Sequence, residues 1–131
     1  MVTWEEAGEL LDEIAEEIPE AFYQELNGGV LLRPEERLHP DSAERDLYIL
    51  GEYHHEFAMG RYIELYYGSF AKVFGYMGRG AFREQLRKTL LHEFTHHMES
   101  LAGLRDLEVK DEERMGAYKL KHTAARRGAE Q

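Results

Sequence analysis

Apolar positions follow helical spacing towards both ends of this chain and two-residue alternation in between. Thr3 with Glu6 three residues later forms a capping-box signature. Trp4, Ala7, Leu11, Ile14 and Ile18 then fall on one stripe, with acids over the remainder. This predicts an N-terminal helix stopped by Pro19, then a shorter helix from Glu20 to Leu26 ended by Asn27-Gly28-Gly29. Val30 to Leu32 is a short strand candidate. Pro34 to Asp46, with prolines and many charges, reads as a connection in which His39 is a surface histidine.

Leu47–Phe57 and Met59–Tyr67 are rich in tyrosine, isoleucine and leucine and predict two strands. In the second, Tyr62, Glu64 and Tyr66 share one face, while Ile63, Leu65 and Tyr67 share the other. Ser69 to Phe74 either continues as strand or begins a helical turn. Gly75, Gly78 and Gly80 form a connector, because their setting lacks the strand, turn and Lys-Ser/Thr ending of a phosphate loop. The main helix is expected from about Ala81 to Leu101, with Ala102-Gly103 as its stop. A final helix begins near Asp111, its acids Asp111, Glu112 and Glu113 early and its Lys119, Lys121, Arg126 and Arg127 late, as the helix dipole favours.

At about 100° per residue, Leu86, Leu90, Phe94, Met98 and Leu101 make one apolar stripe of the main helix, with Phe82 at its margin. His92 and His96 point away from it and share a face, and Glu93 lies between them and the apolar edge. His92-Glu93-x-x-His96 is the short zincin signature: two imidazoles converge on a zinc ion while the glutamate acts on a water. Glu93 would serve as general base and then as general acid to the leaving amine. His97 falls on the apolar side and is expected to be buried or supporting rather than a ligand.

A catalytic zinc takes three protein ligands and keeps one position open. The compact pattern His-Glu-x-x-His-x-x-Gly-x-x-His/Asp would put its glycine and last ligand at Glu99 and Ala102, and neither fits. Gly103-Leu104-Arg105-Asp106 supplies a Gly-x-x-Asp element about one helical turn later. Asp106 is therefore the expected third ligand, with Glu108 as the alternative. Glu112 is a further option better read as a helix-start carboxylate. His54-His55 places one histidine on each face of a strand, from which either could enter the cleft. The tyrosine-rich strand from Gly60 to Gly68 could take up a peptide by strand addition or hydrogen-bond an oxyanion, although sheet packing accounts for most of its tyrosines.

Composition narrows the partners. A formal net charge of -10 argues against nucleic acid or an anionic membrane and suits a cation or a basic peptide. The absence of cysteine excludes disulfides, thiolate metal sites and thiol nucleophiles. The acidic start Met-Val-Thr-Trp-Glu-Glu does not resemble a signal peptide, and no stretch approaches the roughly 18 apolar residues of a membrane span. A single domain in the cytoplasm is the default expectation.

Three segments carry a family resemblance: Leu-Tyr-Ile-Leu-Gly-Glu-Tyr-His-His (47–55), Met-Gly-Arg-Tyr-Ile-Glu-Leu-Tyr-Tyr-Gly-Ser-Phe (59–70) and His-Glu-Phe-Thr-His-His-Met-Glu-Ser-Leu-Ala-Gly-Leu-Arg-Asp-Leu-Glu-Val-Lys-Asp (92–111). On these the chain resembles the small bacterial metallopeptidase-family proteins with a zincin-like minimal fold. The resemblance implies an α+β fold in which a short mixed or antiparallel sheet packs on the His-Glu-x-x-His helix, and it implies zinc-dependent peptidase activity. Related minimal zincins carry Gly-x-x-Asp immediately after the double histidine, whereas here it comes four residues later. The expected function is hydrolysis of peptide bonds in a peptide or protein substrate. The rival is a zincin-like module that binds metal or a protein partner without catalysis.

Overall fold

The computed structural model describes residues 1–43 and 47–107. Helix α1 spans Trp4–Glu17, and its start is the anticipated capping box: Glu6 N–H donates to Thr3 Oγ1 and Thr3 N–H to Glu6 Oε1, each at 3.1 Å. Ala7, Leu10, Leu11 and Ile14 form its buried face, while Trp4 sits at the rim, edge-on to Tyr67. After Pro19 the chain makes a single 3-10 turn, Glu20–Tyr23, shorter and tighter than the helix expected to Leu26.

Three strands follow: β1 (Gly29–Arg33), β2 (Gly51–Glu56) and β3 (Gly60–Tyr66). They form one mixed sheet in the order β1-β3-β2, with β1 parallel and β2 antiparallel to β3. Gly60 closes the β2–β3 hairpin at φ +70°, a backbone conformation that glycine adopts without strain. β2 starts later than the expected strand, because Tyr48 pairs instead with Leu38 in the preceding connection. That connection also holds His39. The ring is buried, contrary to the expected surface position, because His39 Nδ1 accepts from the Asp41 N–H and the His39 N–H donates to Leu47 O.

The residues after β3 are helical, not strand: α2 spans Tyr67–Phe74. Helix α3 spans Arg79–Leu107. It runs straight through Ala102 and Gly103, the expected stop. Gly103 is buried, and glycine's intrinsic cost of about 1 kcal/mol in a helix is small enough for packing to override. The final helix expected from Asp111 lies outside the described residues.

Phe82, Leu86, Leu90 and Phe94 of α3 are all buried and meet Leu10, Ile14, Ile63, Leu65 and Phe70 in one core. At roughly 1.5–3 kcal/mol per buried side chain, this stripe is what fixes the rotation of α3 against the sheet. The sheet is therefore two-sided. Val30, Leu32, Tyr53, Ile63 and Leu65 face the helices, and Glu52, His54, Tyr62, Glu64 and Tyr66 face outwards. No helix among the described residues is long and apolar enough to cross a membrane.

Candidate functional site

Because the apolar stripe pins α3 from one side, His92 and His96 are turned to its flank, one turn apart. Their Nε2 atoms face each other at 3.0 Å, with the rings nearly perpendicular. Two nitrogens on one tetrahedral zinc, each about 2.0–2.1 Å from it, stand about 3.3 Å apart, so the pair fits two donors of one ion. His96 Nδ1 lies 3.0 Å from Glu99 Oε1. The carboxylate accepts the Nδ1–H, which leaves the Nε2 lone pair directed at His92, the carboxylate–histidine arrangement that metal-bound imidazoles use. Glu99 occupies the position where the compact pattern has glycine, and motif matching alone gives it no role.

His96 and Glu93 are each only 1% exposed, so the site is more enclosed than a helix face turned to solvent would be. His97 is fully buried, as its place on the apolar side implies. Its Nε2–H donates to Gln24 O and its Nδ1 accepts from the Tyr53 hydroxyl, both at 2.8 Å. Burial pushes this imidazole below the ordinary histidine range, against the opposing bond to Gln24 and with some help from Arg61, so it is neutral near pH 7. With both ring nitrogens engaged, His97 joins α3 to β2 and to the turn after α1, and it has no lone pair to offer a metal.

Asp106 lies on the same unbroken helix as His96, ten residues and about 15 Å further along the axis. The backbone does not return it to the histidine pair, because the expected break at Gly103 is absent. Glu108 and Glu112 lie outside the described residues. Nor do His54 and His55 complete the pair. His55 lies beside Arg61 on the helix-facing side, largely exposed, where partial loss of water around its ring and then the guanidinium lower its pKa. His54 is on the outward side.

That outward side carries a network that no single motif reveals. Arg33 Nε donates to Glu64 Oε2 at 2.6 Å. The Tyr66 hydroxyl accepts from Arg37 Nη1 at 3.1 Å and donates to Glu52 Oε1 at 2.6 Å. Burial and the neighbouring Glu52 carboxylate raise the Tyr66 phenol well above the usual tyrosine range. Burial opposes ionisation of Glu64, but Arg33 and His54 outweigh it and hold that carboxyl below its ordinary value. The alternation of Tyr62, Glu64 and Tyr66 is legible in the strand. Their meeting with Glu52 and His54 depends on the β2–β3 register.

These features define an α+β protein in which a three-stranded mixed sheet lies against a long helix bearing paired histidines. The chain belongs to the same family as a conserved hypothetical protein, TTHA0227, from Thermo thermophilus. That solved structure is 39% identical, with a TM-score of 0.64 over 77% of this chain and 98% of the other. No family model and no curated protein matches the chain.

Proposed function

We propose that the protein is a zinc-dependent peptide hydrolase of zincin-like organisation, centred on His92, Glu93 and His96. The observation that carries this is the pair of Nε2 atoms facing each other at 3.0 Å, with His96 oriented by Glu99. Zinc, when bound, supplies a Lewis acid for the scissile carbonyl and makes a water nucleophilic at neutral pH. The chain's own residues do the rest. His92 and His96 hold the ion, and Glu99 keeps His96 in the Nδ1–H tautomer. Glu93 accepts the proton of the attacking water on its carboxylate and delivers it to the amine that leaves. The acidic surface favours peptides with basic side chains. The third protein donor in this reading is a carboxylate further along the chain, Asp106 or, as the alternative, Glu108.

The test is metal content and hydrolysis measured together on protein without a histidine tag. His92→Ala is expected to lose zinc. Glu93→Gln is expected to keep it and to lose peptide hydrolysis by about 10²-fold or more. Hydrolysis unchanged in Glu93→Gln sinks the mechanism. One observation favours a second reading, a metal-binding module without catalysis: the described residues bring only two donors together here, and one of them, with Glu93, is almost completely enclosed. Stoichiometric zinc with no turnover across a broad peptide library would select that reading.

A further inference from the structure

We propose a second divalent-cation site on the outward face of the sheet, formed by Glu52, His54 and Glu64 and independent of the helix histidines. The β2–β3 register sets Glu52 directly opposite Glu64. Like charges in that relation destabilise a strand pair unless positive charge lies between them. His54, two residues along the same face, brings its Nε2 to 3.0 Å from Glu64 Oε1 and 3.6 Å from Glu52 Oε1. One donor atom from each of the three lies within 4.8 Å of the others. Donors about 2.1 Å from one ion stand roughly 3.0–3.4 Å apart, so small side-chain rotations close this group on a cation.

The surroundings hold the donors in place. Arg33 takes Glu64 Oε2, the oxygen not directed at His54. Tyr66 donates to Glu52, and the Tyr62 ring stacks on the His54 imidazole at 4.7 Å and 26°. Contacts of this kind orient metal ligands from behind. Arg37, whose Nη1 lies 3.4 Å from Glu52 Oε1, has a side chain 52% exposed, so it can swing outwards as an ion enters. One imidazole with two carboxylates selects a first-row ion such as Zn2+ or Mn2+ over Ca2+, which takes an all-oxygen shell. Glu52-x-His54 alternates away from Tyr53, whose hydroxyl reaches His97 on α3, so the site and the helix pair lie on opposite sides of the sheet.

The experiment is Zn2+ titration of the full chain, stripped with chelator, with stoichiometry by elemental analysis. Wild type is expected to bind two ions, and His54→Ala and His92→Ala one each. Glu52→Gln and Glu64→Gln should weaken the His54-dependent ion at least tenfold. One ion in wild type, kept in His92→Ala and lost in His54→Ala, supports this site while refuting the helix pair. Stoichiometry and affinities unchanged by His54→Ala overturn the proposal and leave the cluster as an ion-paired network only. Should His54→Ala fail to fold, the His54 ring NMR signals of His92→Ala protein decide the matter. A shift on adding Zn2+ supports the site, and no shift overturns it.

Discussion

Tyr53→Phe tests the anchoring of the histidine helix most directly. Tyr53 is 3% exposed, and its hydroxyl donates to His97 Nδ1 at 2.8 Å. The substitution deletes one oxygen and leaves the ring, so the packing change is small. It also strips the hydrogen-bond donor from a nitrogen on a fully buried imidazole, whose other nitrogen is tied to Gln24 O. Leaving a buried acceptor unsatisfied costs about 1–3 kcal/mol. For a chain of 131 residues that corresponds to a fall in Tm of about 4–11 °C. Thermal and urea unfolding of the metal-free protein would read it, with the urea m-value unchanged. His97→Phe should cost more, because it removes both hydrogen bonds of the imidazole, to the Tyr53 hydroxyl and to the Gln24 carbonyl. The double substitution should cost less than the sum of the two, since the shared hydrogen bond can be lost only once. Additive single-variant costs, or a Tm for Tyr53→Phe within a degree of wild type, would refute the proposed coupling.

Glu99→Ala should weaken zinc binding at the His92–His96 pair by about 10–100-fold without changing helix content, as judged by chelator competition and circular dichroism. Glu6 is held below the ordinary carboxylate range by its Thr3 cap bonds, with help from Arg79, despite some opposing burial. Its stabilising effect is present above the unfolded value near 4.5 and is lost as pH falls through the lower folded value; Glu6→Gln should therefore flatten the acid limb of the unfolding profile. A Cβ at Gly51 would stand 2.6 Å from Leu65 Cδ2 and 3.1 Å from Thr89 Cγ2, wedging β2 away from α3. Gly51→Ala is thus expected to cost about 1–3 kcal/mol in urea unfolding.

Local chemistry announces itself in the sequence. The Thr3–Glu6 box needs only four residues, and both parts are in place. The helical wheel separates His97 from His92 and His96, because one stripe of large apolar side chains dictates the rotation of α3. Features that depend on distant segments are not legible. Gly103 resembles a helix stop, yet its burial within α3 outweighs its low propensity. His39 resembles a surface residue, yet a turn to Asp41 and pairing with Leu47 enclose it. Asp106 stays on the same continuous helix as the histidines for the same reason, since the break expected at Gly103 does not form. Glu52, His54 and Glu64 converge through strand register, a property of two strands together.

The sheet order also sets an order of assembly. β2 and β3 are joined by a tight hairpin, so their pairing closes a short loop and carries little entropic penalty. β1 must find β3 in parallel across an intervening stretch that includes the whole of β2, pairing Val30 with Ile63. The hairpin is therefore the expected folding nucleus. Substitutions at Tyr53 and Ile63 should slow folding, while those in β1 should mainly speed unfolding. Glu52, His54 and Glu64 all lie within that hairpin, so their convergence is expected to form with the nucleus, ahead of the docking of α3 on the opposite side.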